Sequence, residues 1–518
     1  MDGKERSFSK QAAPNLFANL LFVAANALVG LFLVPYYIGS LGIAAYGIVP
    51  LATSITSYIV LVSDALSEAV SRYMCVYVQG GKQEESRRMY NSALFGTLKV
   101  VLALLPVIIL VAIASPYIFN IGPNSAIEVQ ILFMLILGAV LLNSWSNNFL
   151  TVLFSNNRLD YQNYIKASQV IIQIVVIVLL FTFWEKNLVS IGIAYIFAAT
   201  MNALLGYFVS RRVSPQFVPR YEEYDKEEFR KVCSLGSWTI VNALGNLLFI
   251  QASIIVCNVL LGPEIEGAFT IVTTMVVMIS VLGGTVVAVL TPITYYHYSR
   301  NQKTEMIAIC KTMMKIVGIS MGILAAFLCV FSKQLLTVWV GSEFIFLEEI
   351  IWIMMLSMAL SIAISPAFPI SVAYLKVKIP GTATLLFGIL NILLAIIFVE
   401  VFGMGLVGIG AAWAIAMFLK NGIFNPIYHA LILNESKTLL FGPLLYGSLW
   451  YFVSVLVFIV VDGALHPPAM LPALLLLFAV TFSVLGLIGF RVVMNKSERS
   501  MFLGMLPERI RHIAKHFF

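Results

Sequence analysis

Asparagine side chains recur at helical spacing near the start of the chain. Asn15, Asn19 and Asn26 are separated by four and seven residues, which places them on one face of a helix. An amide both donates and accepts hydrogen bonds, so such a face suits the hydroxyl groups of a sugar. Hydrogen bonding between packed helices is the alternative use of the same side chains. Because an amide facing lipid is costly, both uses place this stripe inside protein or against a cavity.

The stripe returns in the second half of the chain. Residues 15–22, NLFANLLF, reappear as NALGNLLF at 242–249, and residues 41–47, LGIAAYG, reappear as LGPEIEG at 261–267. The two pairs keep their order, which is typical of duplicated membrane transporters with two pseudo-symmetric halves. The second copy adds four candidate binding residues: Asn242, Asn246, Gln251 and Asn258.

Charged residues follow the second apolar run at steps of four. Asp64, Glu68 and Arg72 share one face if the helix continues beyond the run, and Arg87 and Arg88 follow nearby. A guanidinium group matches phosphate oxygens in bidentate fashion, so the arginines are candidates for binding a phosphate or pyrophosphate group. The two carboxylates are candidates for ion coupling. The alternative is an ordinary positive cluster beside the membrane.

A second charged group lies at the start of the fifth apolar run. Arg158, Asp160 and Lys166 are close together in the sequence. They raise the same alternatives as the first cluster, substrate contact or a structural ion pair at a helix end. The sequence does not decide between them.

The elements that must position these residues are membrane-spanning helices. Hydrophobic residues make up 60% of the 518 residues and charged residues 11%, whereas a soluble globule has about 25% charged residues. With about 20 apolar residues per span, we predict an all-α integral membrane protein with fourteen spans. Their expected ranges are 15–36, 44–63, 94–115, 129–150, 165–184, 189–210, 236–260, 267–291, 309–330, 347–369, 381–401, 405–426, 440–461 and 469–490. The sequence Ser365-Pro-Ala-Phe-Pro369 predicts a kink inside the tenth.

The distribution of basic residues predicts the orientation of the chain. All of the 32 Lys and Arg residues except Lys186 and Lys333 fall on alternate segments, Lys420 among them. Because positive charge accumulates on cytoplasmic loops, we predict a multi-pass cell-membrane protein with both termini in the cytoplasm. The net charge of +7 is foremost an orientation signal, with anionic lipid headgroups as secondary partners.

Four regions are expected. Residues 1–210 form an N-terminal six-helix lobe, and residues 211–235 a cytoplasmic linker with an amphipathic helix. Residues 236–430 form a C-terminal six-helix lobe, and residues 431–518 two extra spans with a basic tail.

Several classes of function lack their residues. The chain has no GxxxxGK[ST] phosphate-binding loop, so a gradient or downstream consumption of product must drive any transport. The five cysteines show no metal-ligand spacing, and neither a metal nor a cofactor is expected. Glu264 and Glu266, the only tight acidic pair on the predicted outer loops, are expected to be solvated acids at the start of span 8. We expect no enzyme activity and no nucleic-acid binding.

Several short stretches together resemble a known transporter family. They are VPYYIGSLGIAAYG at 34–47, DALSEAVSR at 64–72, GGKQEESRR at 80–88 and FGMGLVG at 402–408. In this order they resemble the polysaccharide transporter branch of the multidrug/oligosaccharidyl-lipid/polysaccharide exporter superfamily. The resemblance implies two six-helix bundles around a central cavity, which switch between inward-open and outward-open states and move lipid-linked oligosaccharides.

The sequence thus favours a flippase for a lipid-linked oligosaccharide, working from the cytoplasmic to the outer leaflet. A cation-coupled drug exporter of the same superfamily is the first alternative, although spans 1, 7 and 8 carry no carboxylate within their predicted ranges. A lipid II flippase would be expected to use arginines in its early spans, and spans 1 and 2 have none. A membrane enzyme acting on polyprenyl-linked sugars is the alternative from another class. A monomer is compatible with all of these features.

Overall fold

In the part of the chain that the structure describes, fourteen helices are long and apolar enough to cross a membrane. The structure is a computed structural model that describes residues 8–235 and 237–505, and it contains no strand in those ranges. The predicted all-α membrane architecture is confirmed. The helices are longer than their hydrophobic runs, because the charged segments between several runs are also helical.

The spans are numbered 1 to 14 in chain order. Their helical segments are Phe8–Leu28, Val29–Leu33 and Val34–Leu41 for span 1, then Ile43–Gln79, Gln83–Ile118, Ala126–Ser155, Leu159–Phe183, Leu188–Val213, Ser237–Leu261, Pro263–Ser299 and Lys303–Val330 for spans 2 to 9. Span 10 comprises Glu348–Ala363, Ser365–Ala367 and Phe368–Ala373; span 11 comprises Lys378–Ile396 and Ile397–Val401; span 12 comprises Gly405–Met417, Phe418–Phe424 and Asn425–Ile432. Spans 13 and 14 are Phe441–Leu465 and Leu471–Val493. The shorter helices are Tyr221–Glu223, Lys226–Leu235, Ser332–Trp339, Ser342–Leu347 and Lys496–Met505.

Irregular turns interrupt several spans. Span 10 changes from α-helix to a 3₁₀ turn at Ser365–Ala367, where Pro366 removes a backbone donor, so the predicted break is confirmed. Span 12 contains a π-helical segment, Phe418–Phe424, and spans 1 and 11 contain shorter ones. Such π-turns are frequent at functional sites.

The described chain divides into two compact units. Unit 1 contains the described chain up to Leu247 together with Ile254–Gly267. Unit 2 contains Leu248–Ser253 and the described chain from Ala268 onward. Most of span 7, which the sequence assigns to the second lobe, therefore groups with unit 1. The lobe boundary at 211–235 stays a prediction.

Spans 2 and 3 form a hairpin that extends beyond the thickness of a bilayer. Each has 36 or 37 residues, about 54 Å of helix, against a hydrocarbon core about 30 Å thick. We call the membrane side at which Gly80–Lys82 join these spans the hairpin side. There, Met74 and Tyr90 of the hairpin share a buried core with Phe217 and Val232 of the segment that follows span 6. This core fixes that segment against the projecting hairpin.

In unit 2, span 13 packs directly on span 9. A methyl group at Gly318 would meet the backbone of Gly447, so the two helices approach at backbone distance. Tyr451 of span 13 hydrogen-bonds to the Cys329 thiol of span 9 at 3.3 Å. Span 13 is thus an integral part of the unit. Span 14 leaves most of its surface exposed.

The helix after span 14 is tied to span 9. Lys315 Nζ lies 2.8 and 2.9 Å from the two Glu498 carboxylate oxygens. Asn495 and Glu498 also form a reciprocal capping box at the start of this helix, with hydrogen bonds of 2.9 and 2.8 Å. Lys496–Met505 is therefore anchored at its first turn.

The two copies of the repeated heptapeptide contact each other within unit 1. Gly42 and Gly262 occupy equivalent positions and have φ of 83° and 88°, a conformation that favours glycine. Each precedes the helix of span 2 or span 8. A methyl group at Gly267 would lie 3.3 Å from the Gly47 Cα, and one at Gly47 would overlap the Pro263 carbonyl oxygen. The glycines that the two copies share therefore have a packing role in both.

Substitution of Gly47 tests this close approach. We expect Gly47→Ala to lower the free energy of unfolding by about 1–3 kcal/mol, because the added methyl group overpacks the contact with span 8. The matched control is Gly39→Ala, since a methyl group there meets nothing within 4 Å. Thermal unfolding of the detergent-purified variants measures both. Equal stability of the two variants would contradict the contact.

Candidate functional site

The three asparagines of span 1 have different environments. Asn15 is half-buried, and its Oδ1 accepts a hydrogen bond of 2.9 Å from the backbone N–H of Asp160, at the first turn of span 5. Asn19 and Asn26 are exposed, and Asn26 Nδ2 donates to the Phe22 carbonyl at 2.9 Å. The first asparagine therefore has a capping role. The other two amides lie on the surface of unit 1.

Arg158 and Asp160 form a closed ion pair. The Arg158 Nε and Nη2 atoms donate to the two Asp160 carboxylate oxygens, both at 3.0 Å, and the Asp160 side chain is 8% exposed. Hydrogen bonding to Asp160 raises the pKa of Arg158. The guanidinium also lies 3.8 Å from the ring centroid of Tyr161. With both carboxylate oxygens engaged, the pair holds the start of span 5 and leaves little of Arg158 for a ligand.

Span 2 carries a row of exposed charges. Its helix continues to Gln79, as the step-of-four spacing requires, and Asp64, Glu68 and Arg72 are all exposed. Asp64 interacts electrostatically with Lys166 of span 5 as well as with Glu68. Lys166 Nζ lies 6.0 Å from the Phe22 ring of span 1. Spans 1, 2 and 5 thus bring their polar side chains into one region of unit 1.

These side chains lie at different depths in the membrane, as their distances along the spans show. At 1.5 Å per residue, Asn26 is about 22 Å from the far end of span 1 at Leu41, and Lys166 about 26 Å from the far end of span 5 at Phe183. Asp64 is about 32 Å, and Arg72 about 43 Å, from the start of span 2 at Ile43. Against a core of about 30 Å, this polar track, Asn26, Lys166, Asp64, Glu68 and Arg72, runs from the hairpin side into the membrane.

Arg87 and Arg88 face the segment that follows span 6. Arg87 lies 3.7 Å from Glu223, and Arg88 lies 3.9 Å from Asp225. These distances exceed those of good hydrogen bonds. We call Tyr221–Asp225 the acidic strap. It borders a cavity of about 390 Å³ lined by both arginines.

Hydrogen bonds to Asn91 and Ser92 fix the acidic strap more firmly than its ion pairs with the arginines do. Asn91 Oδ1 accepts from the Arg220 backbone N–H at 2.8 Å, and Asn91 Nδ2 donates to Glu223 at 2.8 Å. The Asp225 backbone N–H donates to Ser92 Oγ at 2.9 Å. Beyond the strap, the Phe229 ring fills a notch at Gly96, where a methyl group would overlap it. No sequence pattern predicted the docking of the strap on span 3, because a lone asparagine inside a helix is not distinctive.

The second copy of the asparagine stripe is described in part. The side chain of Asn242 lies outside the residues that the structure describes; Asn246 is exposed and Gln251 half-buried. Asn258 is fully buried and exchanges two hydrogen bonds, of 3.0 and 3.1 Å, with the backbone of Asn120. Asn258 therefore joins span 7 to the end of span 3 within unit 1.

Two charged residues are not where the sequence places them. Glu266 was expected to be solvated, but it is 0% exposed, since the first turn of span 8 packs against Gly47; Glu264 is exposed. Lys420 was assigned to a cytoplasmic segment, but it lies in the π-helical part of span 12 and is 8% exposed. Its Nζ is 5.0 Å from the Phe249 ring. Counting the charges on successive loops does not show that the Lys420 side chain is buried.

Span 12 also carries a buried polar stripe that sequence reasoning missed. Asn421, Asn425 and His429 are spaced by four and are at most 5% exposed. Asn425 donates to Asn421 at 2.7 Å, and His429 Nδ1 lies 2.7 Å from the Asn425 carbonyl. The step-of-four spacing that identified the stripe in span 1 would also have found this one.

Metal-binding geometry is absent from the part of the chain that the structure describes. No group of three or more His, Cys, Asp or Glu side chains in those residues could hold a metal ion. The five cysteines are free thiols, of which Cys257, Cys310 and Cys329 are buried.

Comparison with known proteins identifies the family. The family model described as "Polysaccharide biosynthesis protein" matches residues 12–295. The "Uncharacterized membrane protein EpsK" of Bacillus subtilis strain 168 is 26% identical over 497 residues, which cover 94% of this chain and 97% of that protein.

Solved structures show the same fold. An inward-facing multidrug resistance MATE family transporter of the MOP superfamily matches with a TM-score of 0.64 at 13% identity, covering 86% of this chain and 98% of its own. The inward closed lipid II flippase MurJ matches with a TM-score of 0.61 at 14% identity, covering 94% and 99%.

The family model covers more than half of the chain, and the relatives match it over nearly its whole length. The resemblance found in the sequence is confirmed. The chain is a multi-span membrane protein that belongs to the polysaccharide biosynthesis protein family and has the fold of MOP-superfamily transporters.

Proposed function

We propose that this protein is a flippase that moves a lipid-linked oligosaccharide from the cytoplasmic to the outer leaflet of the cell membrane. The hairpin side is the cytoplasmic side, and both termini lie there. Family membership and the transporter fold support transport without covalent chemistry. The family description, polysaccharide biosynthesis, supports a polysaccharide precursor as the cargo, and the fold shared with the lipid II flippase MurJ suits a lipid-linked molecule.

The polar track on unit 1 is the observation that carries this proposal. Asn26 and Lys166 lie at membrane depth, and Asp64 lies at its boundary, yet Asn26 and Asp64 are exposed on unit 1. Charged and amide groups at that depth are costly in lipid, so they line protein or a water-filled path. A hydrophilic headgroup needs such a path across the membrane.

The residue types along the track fit the parts of the cargo. Arg72 is exposed on the hairpin side and can donate a forked pair of hydrogen bonds to a phosphate group. The amides of Asn19 and Asn26 can donate to and accept from sugar hydroxyls. The polyprenyl tail stays in lipid while the headgroup follows these side chains. Alternating access between two states would then release the headgroup on the other side.

A cation-coupled drug exporter is the second candidate. The absence of a carboxylate from the predicted ranges of spans 1, 7 and 8 counts against this candidate. The buried Glu266 in the first turn of span 8 supplies such a carboxylate, and Asp64 and Glu68 supply exposed ones on span 2.

Transport by the purified protein separates the two candidates. Proteoliposomes receive a fluorescent polyprenyl-pyrophosphate oligosaccharide or, in parallel, a cationic dye with imposed sodium and proton gradients. We expect protein-dependent glycolipid movement and no gradient-driven dye movement. Dye movement alone would overturn the flippase proposal in favour of the exporter.

Arg72 should contribute to transport without contributing to stability. We expect Arg72→Ala to lower the initial flipping rate by about tenfold, which corresponds to one lost charge-assisted hydrogen-bonding group. Arg212→Ala is the control, because Arg212 is also exposed and lies at the hairpin-side end of span 6. Equal rates for the two variants, with unchanged thermal unfolding, would remove Arg72 from the path.

The asparagines should separate into a structural and a transport residue. We expect Asn15→Ala to lower the free energy of unfolding by about 1 kcal/mol, because the Asp160 N–H loses its acceptor. Asn26→Ala should leave stability unchanged and slow flipping, since the hydrogen bond that its side chain makes within the described chain is to Phe22 of its own helix. Thermal unfolding and flipping rates measured on both variants check this. The same pattern of loss in both would contradict the assignment.

A further inference from the structure

The cavity beside Arg87 and Arg88 lies outside the hydrocarbon core. Arg87 is about 46 Å along span 3 from its far end at Ile118, which places it about 16 Å beyond a core of about 30 Å. The lipid headgroup layer extends only about 5–8 Å beyond the core, so the cavity faces the water beside the membrane. The volume of about 390 Å³ is within the range of small-ligand sites.

The charges around this cavity are nearly balanced. Arg87, Arg88 and Lys226 face four carboxylates, those of Glu84, Glu222, Glu223 and Asp225. While all four carboxylates are present, their negative charge opposes the binding of an anion. Removal of the acidic strap takes away three of the carboxylates and leaves the two arginines with Glu84.

The two arginines are only loosely engaged by the strap. Their contacts with Glu223 and Asp225 are 3.7 and 3.9 Å long, and the arginine side chains are 41% and 53% exposed. Exposed ion pairs of this kind contribute little to stability. Arg87 Nε is buried and has no hydrogen-bond partner among the residues that the structure describes, so this N–H remains available as a donor. A phosphate group can offer it and the neighbouring guanidinium short, charge-assisted hydrogen bonds.

We propose that this cavity is an entry site for the phosphate or pyrophosphate group of the cargo, and that the acidic strap is its built-in competitor. In the absence of cargo, the carboxylates of Glu223 and Asp225 pair with the two arginines. The incoming anion takes their place and releases the strap from span 3. This inference rests on the proposed function, because it assigns the anion to the lipid-linked cargo.

Two backbone amides report on the state of the strap. The N–H groups of Arg220 and Asp225 donate to Asn91 and Ser92 of span 3 only while the strap is docked. Their hydrogen exchange in the full-length protein in detergent is measured during titration with inorganic pyrophosphate, and with NaCl at equal ionic strength. We expect pyrophosphate to speed exchange by at least fivefold and NaCl to have less than a twofold effect. Equal effects of the two salts would overturn the site.

Charge removal on the strap tests the competition directly. We expect Glu223→Gln/Asp225→Asn to lower the half-saturating pyrophosphate concentration by about tenfold, which corresponds to about 1.4 kcal/mol. Glu222→Gln is the control, since Glu222 lines the same cavity and is exposed, but has no ion pair in the described part of the chain. Arg87→Ala/Arg88→Ala should abolish saturation while thermal unfolding shows a folded protein. Equal affinity of the strap variant and the control would overturn the competition.

The source of the anion is settled by a parallel titration with a short-chain polyprenyl pyrophosphate. A response at lower concentration than with inorganic pyrophosphate supports a cargo headgroup. A response to inorganic pyrophosphate alone overturns the cargo assignment. If glycolipid moves but neither compound releases the strap, the entry site fails and the flippase proposal stands. If both release the strap and no glycolipid moves, the strap-gated anion site stands, while the flippase proposal and the cargo assignment fail.

Discussion

The cost of a polar group in lipid is the constraint on which the rest of this structure depends. Every charge or amide at membrane depth must be covered by protein or face water. Unit 2 satisfies this rule by burial, because span 12 carries four buried polar side chains: Lys420, Asn421, Asn425 and His429. Unit 1 instead leaves Asn26 and Asp64 on its surface. Unit 1 also buries polar side chains, at Asn258 and Glu266, so its polar face exists in addition to a polar interior.

Spacing and charge along the sequence were enough to predict much of this architecture. Apolar runs of about 20 residues predicted fourteen spans, and the prolines at 366 and 369 predicted the break in span 10. The repeated glycines predicted equivalent positions that proved to share positive φ, at Gly42 and Gly262. These features are local, since each depends on composition or backbone conformation within a few residues.

Other features depend on which distant segments meet, and local patterns do not contain that information. Glu266 looked like a solvated acid because its neighbours are those of a helix start, yet the approach of Gly47 buries it. Asn15 and Asn26 share one helical face in the sequence pattern, but it is Asn15 that reaches the first turn of span 5. Glu223 and Asp225 of the strap lie 136 and 137 residues from Arg87 and Arg88, so no local sequence pattern predicted that they would meet. Candidate residues were identified by type, while their roles required three-dimensional contacts.

The length of the hairpin formed by spans 2 and 3 has a mechanical consequence. Its tip stands well clear of the bilayer, and the buried core around Met74 and Tyr90 makes it stiff. A stiff rod that pivots near the membrane moves farthest at its tip, so a small tilt of these helices becomes a larger displacement at Gly80–Lys82. The segment leading to span 7 is fastened to this rod through Asn91 and Gly96. Tilting of the hairpin would therefore displace the docked segment and, through it, the start of span 7.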